Sequence, residues 1–414
     1  MNRLTLTALA IVILAGIVLR TSHIRDEHRL TPNERAYLYD AGRLYDEGIG
    51  GTQALFTEYR HDPGLWAVAQ PARIGYIFLL DAAMHVMRTK NLEAGMALSY
   101  LASVLTLLLV AWLGYRFFNA EVSLIAAALC ATAFTEIWLV RGTPEDGVFG
   151  LFGLVELWLT FELMRTPRRY WLYAPFHLVG VWAILVKQSG VFIYGFCALW
   201  LLGWLLFREK SRKMAVVLAA SFAGGLALVA LAYIVLAGDA ITAWRVYLLS
   251  FISNDEGWSY NKECCFGPWT QIPRALFLLS PLTFFLSIVG IGVVSFRKSA
   301  TSLLTPLQRS CAGVSVLLAI GFVSMFAFFP GMEVLRFITP GQGAACLVAA
   351  LGLWMLLSFA RTRLEPSEFA ALAVLVALGF AISMVRDYGV FTRIVTQARI
   401  PELGAAQIRM ALGQ

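Results

Sequence analysis

The chain is a succession of long apolar stretches, and this feature limits its fold more than any other. A helix needs about 20 apolar residues to cross the hydrocarbon core of a bilayer. With 59% hydrophobic and 14% charged residues and a mean hydropathy of +0.71, the composition excludes a soluble enzyme, a disordered chain and a collagen-like chain. It predicts an all-α, polytopic transmembrane helical bundle of about 11 spans. The candidate spans are residues 4–19, 94–115, 121–140, 147–164, 170–186, 190–207, 214–237, 275–296, 310–329, 337–359 and 369–385.

Residues 72–88 are also apolar, but they carry a polar stripe. On a helical wheel the stripe holds Arg73, Asp81, His85 and Arg88. A helix with one wet side lies in the interface between membrane and water rather than across the membrane. We therefore predict a juxtamembrane helix here and no further span.

Basic residues are distributed unequally between the two sides of this arrangement. With eleven spans and a cytoplasmic N-terminus, the basic runs fall on the cytoplasmic side, as the positive-inside rule requires. The short connections on the other side hold only Arg141, Lys187 and Arg336. The four arginines after residue 385 are the exception, because they fall outside.

This topology places two long segments outside the membrane, at about 20–93 and about 238–274. We expect no appended soluble domain, and no internal repeat is visible in the sequence. The sequence thus predicts one transmembrane domain over residues 1–385 and a short C-terminal tail at 386–414.

Several acidic residues lie just outside spans on the external side. Thr31, Pro32 and Glu34 follow the pattern of a helix start, so Glu34 has a capping explanation. Glu145 and Asp146 also begin a helix and have the same explanation. Carboxylates facing each other across an external cavity have another use, because one can deprotonate an acceptor and the other can orient it. Both explanations stay open on the sequence alone.

Cations occur at the same face. Lys187 ends one span and Arg336 precedes another. A Lys or Arg at a span end usually anchors the helix at the interface. Both lie on the side that is otherwise poor in positive charge, which favours a pairing with phosphate.

Short motifs follow one another in a fixed order over residues 1–360. The order resembles that of the polytopic, lipid-phosphate-sugar-dependent glycosyltransferases of GT-C type, which include protein O-mannosyltransferases and aminoarabinose transferases. The matching residues are Glu34, Tyr37, Ala41, Leu44 and Gly48, then Gln70-Pro71 and Tyr76, Arg141 and Asp146, Lys187 and Gly190, and residues 336–340. The sequence departs from the family at Asn33, where the family usually has Asp. Either Glu34 replaces that acid, or Asp26 and Glu27 supply it, or the chain is inactive.

The resemblance implies a transferase that moves a sugar from a polyprenyl-phosphate carrier to a lipid, glycan or protein acceptor at the extracytoplasmic face. The catalytic residues it implies are Glu34 and Asp146, with Asp26, Glu27 and Glu145 in reserve. The cations it places at the donor phosphate are Lys187, Arg336, Arg141 and Arg73. We expect an integral multi-pass protein of the bacterial inner membrane, with its N-terminus in the cytoplasm.

A second class of function stays open. The chain could be a non-enzymatic membrane protein, either a lipid-carrier transporter or a degenerate family member with a structural role. The sequence contains no Walker motif, dinucleotide fingerprint or metal-ligand cluster, which argues against nucleotide-driven transport. Its basic residues lie in short runs between apolar segments, so we expect contact with anionic lipid headgroups and no nucleic-acid partner. The need for a divalent cation beside the acids is left open.

The topology can be tested by labelling. We predict that cysteines introduced at Gly50 and at Lys90 react with an impermeant reagent from the same, outer side, because the polar stripe of 72–88 keeps that helix at the interface. Labelling from opposite sides would mean that residues 72–88 cross the membrane.

Overall fold

A computed structural model describes residues 3–21, 30, 32–65, 71–142, 144–249, 271–296, 303–327 and 339–398. Every regular element within these ranges is a helix, and the chain is an all-α polytopic membrane protein, as predicted. In chain order the α-helices are α1 (Arg3–Thr21), α2 (Pro32–Glu47), α3 (Gly51–His61), α4 (Ile74–Met87), α5 (Leu92–Leu113), α6 (Ala120–Ala131), α7 (Phe134–Leu139), α8 (Glu145–Arg165), α9 (Tyr173–Val186), α10 (Gly190–Gly203), α11 (Arg212–Ala237), α12 (Ala240–Leu249), α13 (Gln271–Leu279), α14 (Pro281–Phe296), α15 (Pro306–Ala327), α16 (Thr339–Arg361) and α17 (Pro366–Ala398).

Seven helical segments of the described chain are long and apolar enough to cross a membrane. They contain α1, α5, α8, α10, α11, α16 and α17, and each coincides with a predicted span. The last of these helices continues to Ala398, so the boundary placed at residue 385 lies inside α17. Residues 386–398 continue this helix.

Two predicted spans are interrupted. Residues 121–140 form α6 and α7, which are separated at Thr132 and Ala133. Residues 275–296 belong to α13 and α14, and the helix stops before Pro281 because a proline has no N–H to donate to the preceding turn. The remaining predicted spans, 170–186 and 310–329, fall on α9 with the turn before it and on α15.

The apolar segment at 72–88 is not among the described helices that are long and apolar enough to cross a membrane. Its helix α4 has 14 residues and is about 21 Å long, which is shorter than the hydrocarbon core of about 30 Å. The polar stripe is divided between two environments. Asp81 Oδ1 and His85 Nδ1 lie 3.0 Å apart and both side chains are partly exposed, whereas the Arg73 side chain is only 16% exposed.

By packing, the chain forms two compact units. In the first unit, α6 packs against α1 and α16, and α16 also packs against α14 and α15. In the second unit, α8, α9 and α10 pack against one another, and α4 packs against α2 and α9. The first unit comprises Met1–Glu27, Ser103–Trp138 and Gly267–Gln414, and the second comprises His28–Ala102 and Leu139–Phe266. These units are defined by contacts within the chain. The prediction of one transmembrane domain over residues 1–385 is therefore not tested by them and stays a prediction.

In the first unit, a fully buried arginine donates hydrogen bonds to the backbone at the break between α6 and α7. Arg20, near the end of α1, donates hydrogen bonds to the backbone oxygens of Cys130 and Ala131, both at 3.1 Å. It also donates to Ser103 Oγ at 2.7 Å, and this hydroxyl donates to a carboxylate oxygen of Glu136 at 2.9 Å. Because α6 ends at Ala131, its last carbonyls have lost their usual helical partners, and such groups are costly in lipid. The guanidinium replaces those partners, a role that the sequence analysis did not assign to Arg20.

We predict that Arg20→Met lowers the free energy of unfolding by roughly 3–5 kcal/mol, because it removes the guanidinium donors to the two carbonyls and the positive charge near the buried Glu136. Denaturant unfolding of the purified full-length protein in detergent measures this. The matched control is Arg3→Met on the same helix, whose arginine is exposed. Equal unfolding of the two variants would contradict the role of Arg20.

Candidate active site

Two adjacent carboxylates begin helix α8 of the second unit. Glu145 and Asp146 are its first residues, and both are fully buried. Pro144 precedes them in extended conformation, with φ −75° and ψ 139°, and marks the helix start. The positive end of the helix dipole stabilises negative charge at this position. The local sequence therefore explains why two charges are tolerated there, but it does not say what they face.

A break between α9 and α10 brings Lys187 to the same place. Lys187 follows the end of α9 in extended conformation, with φ −155° and ψ 130°, and is 5% exposed. The turn is tight because α10 begins at Gly190, where an added Cβ would lie 2.4 Å from the backbone carbonyl of Ala183. Only glycine permits this approach. The ammonium group also lies near the negative end of the α9 dipole, which favours a cation.

The acids and the cations form one ion-pair network. Glu145 Oε1 accepts a hydrogen bond from Arg73 Nη1 at 2.6 Å and lies 3.3 Å from Lys187 Nζ. Lys187 also donates to Asp146, and Arg73 donates to the hydroxyl of Tyr37. Glu145 is therefore the acid that connects both cations, although it was only a reserve candidate in the sequence analysis.

Arg73 reaches this network because a turn of the chain packs directly on α9. It ends the short 3₁₀ turn Pro71–Arg73 that leads into α4. An added Cβ at Gly75 would lie 2.8 Å from the backbone carbonyl carbon of Leu185. The absence of a side chain at this glycine thus sets the distance between Arg73 and the end of α9.

Two tyrosines and Glu34 extend the network toward α2. The rings of Tyr37 and Tyr76 pack edge to face, with centroids 4.9 Å apart. Burial, followed by the charges of Tyr37 and Glu145, raises the pKa of the Tyr76 phenol well above its usual value. Glu34 and Asp146 act on Tyr76 in the same direction, which places the buried Glu34 within electrostatic reach of the network.

The network keeps Arg73 charged. Burial alone would lower the pKa of its guanidinium, but Glu145 and Tyr37 raise it by more. The pKa of Arg73 consequently lies above its ordinary value. A permanently charged guanidinium with a fork of donors is suited to bind a phosphate or a carboxylate.

The structure brings together five of the candidates that the sequence supplied, namely Glu34, Arg73, Glu145, Asp146 and Lys187. Arg141 lies in the turn before α8 and is buried, and the following residue, Gly142, accepts a hydrogen bond from Ser99 at 3.0 Å. The other candidates, Asp26, Glu27 and Arg336, lie outside the described residues. Tyr37 and Tyr76 were not chosen as site residues, although both belong to the motif series quoted above.

Chemically, the site combines carboxylates able to accept a proton with cations able to neutralise a phosphate. Over the described ranges, no group of three or more His, Cys, Asp and Glu side chains could hold a metal ion. A divalent cation at Glu145 and Asp146 would have to displace Arg73 and Lys187.

Comparisons with known proteins show similarity in fold. No family model and no curated protein matches the sequence. Among solved structures, the oligosaccharyltransferase AglB from Archaeoglobus fulgidus, in complex with an inhibitory peptide and a dolichol-phosphate, matches with a TM-score of 0.60 at 14% identity, over 93% of this chain and 55% of that one. ArnT from Cupriavidus metallidurans matches in the apo state with a TM-score of 0.56 at 15% identity, over 98% of this chain and 70% of that one. ArnT from the same organism, bound to undecaprenyl phosphate, matches with a TM-score of 0.51 at 15% identity, over 94% of this chain and 70% of that one.

This chain therefore spans about half the length of AglB and about 70% of ArnT. Both proteins are GT-C glycosyltransferases, so the resemblance inferred from the motif series is confirmed at the level of the fold. At 14–15% identity the matches carry no further conclusion about substrate.

The packing of Gly75 gives a prediction for the site. Gly75→Ala should lower the free energy of unfolding by about 1–3 kcal/mol, because its methyl group meets backbone rather than a movable side chain. Thermal unfolding in detergent measures the change. The control is Gly195→Ala in α10, where nothing lies within 4 Å of the added Cβ. If Gly75→Ala unfolds at the same temperature as the control, the close contact between Gly75 and the backbone of α9 does not constrain the site.

Proposed function

We propose that the chain is an integral membrane glycosyltransferase that moves a sugar from a polyprenyl-phosphate carrier to an acceptor on the extracytoplasmic side. The observation that carries the proposal is the network of Arg73, Glu145, Lys187 and Asp146 at the ends of apolar helices. Buried ion pairs contribute little net stability, and apolar residues of the same volume often stabilise a protein as well. The presence of four buried or nearly buried charges therefore favours chemistry over packing.

The cations have the properties needed to hold the donor. AglB with a dolichol-phosphate and ArnT with undecaprenyl phosphate share this fold, which supports a lipid-phosphate donor here. Arg73 and Lys187 would bind the phosphate and stabilise the negative charge that develops on it as the sugar departs. Before the donor binds, Glu145 and Asp146 hold both cations in place. The phosphate would compete with these carboxylates for the same donors.

Glu34 and Asp146 would serve as the acids that act on the acceptor. Once Lys187 turns toward a phosphate, the Asp146 carboxylate can accept a proton from an acceptor hydroxyl or amine. Glu34, on α2, approaches the network from another element and would orient the acceptor or act as the base itself. Glu145 serves both cations, so we assign it the role of positioning them. Asn33 does not prevent this arrangement, because Glu34 follows it directly.

The proposed setting follows from the charge distribution of the sequence. The N-terminus would be cytoplasmic and the site would face outward in a bacterial inner membrane. A lipid, glycan or protein would accept the sugar. The long carrier would lie among the membrane helices while its phosphate reached Arg73 and Lys187.

We predict that Glu34→Gln and Asp146→Asn each reduce sugar transfer by roughly 10²–10⁴-fold while the protein still folds. Asp146→Asn is tolerated because Lys187 keeps Glu145 as a partner at 3.3 Å. Glu145→Gln should instead unfold more easily, since it removes the carboxylate shared by two cations. Cells lacking the gene are complemented with each variant, and their envelope glycans and glycolipids are compared by mass spectrometry for loss of a single-sugar increment.

Glu93→Gln is the matched control, because Glu93 lies in the first turn of α5 and is exposed. If Glu34 were only a helix cap, Glu34→Gln and the control Glu93→Gln would lose the same small amount of stability, roughly 0.5–2 kcal/mol, and both would transfer sugar normally. Normal sugar transfer by Glu34→Gln and Asp146→Asn would favour the non-enzymatic role that Asn33 suggests.

A further inference from the structure

A second polar cavity lies on the other flank of α2, away from the ion-pair network. Its volume is about 350 Å³, and α2, α3 and the turn at Pro71 form its walls. The polar residues that line it are Arg35, Tyr39, Asp40, Glu58 and Tyr59. A cavity of this size accommodates a small organic molecule. None of these residues takes part in the proposed transfer.

Asp40 lines this cavity without a bonding partner. It is 8% exposed, and over the described chain its carboxylate forms neither a hydrogen bond nor an ion pair. Arg43 on the same helix is engaged elsewhere, with Glu58 at 2.6 Å and Glu47 at 3.1 Å. A buried carboxylate normally acquires a partner, because an unpaired charge away from water is costly.

The surroundings of Asp40 disfavour its ionised form. Burial, and then repulsion by Glu58, raise the pKa of Asp40 to about 7, and the attraction of Arg43 does not offset them. Arg35 donates to the backbone oxygen of Leu30 at 3.3 Å. Arg35 lines the same cavity and Arg43 attracts Asp40, but within the described residues neither forms an ion pair with the Asp40 carboxylate.

Within the part of the chain that the structure describes, no neighbouring helix supplies a cation that pairs with Asp40. The titratable groups of α4 and the turn after it, His85 and Lys90, contact Tyr45 and Asp46 further along α2. On α3, the groups facing the cavity are Glu58 and Tyr59, neither of which is a cation.

We infer that this cavity binds a small polar organic molecule through a primary ammonium group, which pairs with Asp40. An ammonium ion would donate to the buried carboxylate and relieve its repulsion with Glu58. The tyrosine rings at the cavity wall offer faces that attract cations. Hydroxyl groups of the same ligand would find acceptors in Glu58. This inference does not rest on the proposed sugar transfer.

The experiment compares two probes on the full-length protein in lipid nanodiscs. Glucamine is a polyol with one primary ammonium group, and sorbitol is its neutral counterpart. We expect glucamine to bind by calorimetry at concentrations up to about 10 mM and sorbitol not to bind. Binding should be about tenfold tighter at pH 8 than at pH 6, because a carboxyl with a pKa of about 7 is largely protonated at pH 6 and must lose its proton to pair with a cation.

Asp40→Asn should weaken glucamine binding at least tenfold and remove its pH dependence. Asp46→Asn is the matched control, since this exposed aspartate on the same helix pairs with Lys90 outside the cavity. Thermal unfolding verifies that both variants are folded, and we expect Asp40→Asn to be no less stable because it removes a repulsive charge.

The inference is wrong if glucamine does not bind, if sorbitol binds equally well, or if Asp40→Asn binds like Asp46→Asn. It is also wrong if only a divalent metal ion binds at Asp40. Because binding is measured directly, absence of sugar transfer would leave this result unaffected, and the two proposals can fail separately.

Discussion

The candidate site depends on one carboxylate, that of Glu145, which is fully buried between two cations. A charge in a low-dielectric interior is tolerated only when its partners are close and correctly oriented. Here the partners come from the turn before α4 and from the break between α9 and α10. If either element moved away, a charge would remain buried without compensation. The same ion pairs therefore fix the positions of three chain segments and the positions of the groups that would perform the chemistry.

In each unit, a basic side chain lies where a helix is interrupted. Where α9 stops, Lys187 lies at its C-terminal end, and where α6 stops, Arg20 donates to its last carbonyls. In both places a cation complements the negative end of the helix dipole. The two cations differ in what surrounds them. Arg20 is bonded to backbone carbonyls and to Ser103, whereas Lys187 is bonded to carboxylates that a ligand can displace.

Helix α2 separates two polar environments that differ in their balance of charge. One flank presents Glu34 and Tyr37 toward a network in which each cation has an acid. The other flank presents Asp40 to a cavity in which, over the described residues, no cation pairs with its carboxylate. Balanced charges hold a site in shape before its ligand arrives, while an unbalanced charge favours a ligand of opposite sign. The two flanks are thus suited to different molecules, although they belong to one helix.

The sequence alone determined the class of fold. Seven predicted spans coincide with helices long and apolar enough to cross a membrane, because an apolar stretch of about 20 residues is visible without any knowledge of contacts. Hydropathy did not reveal the breaks, since a window average is insensitive to one missing hydrogen bond. The break before Pro281 had a local signal, but the break at Thr132 depends on Arg20, which is more than 100 residues away in the chain.

The residue types of the site were likewise visible in the sequence, because Glu34, Asp146, Lys187 and Arg73 lie beside apolar stretches where charges are costly. The tertiary structure alone decided which acid pairs with which cation. Glu145 became the shared partner because Gly75 lets the Arg73 turn pack against the backbone of α9. Asp40 became unpaired because Arg43, one turn away, pairs with Glu58 on another helix. Pairing of charges depends on distances between elements, and a linear pattern of residues does not contain those distances.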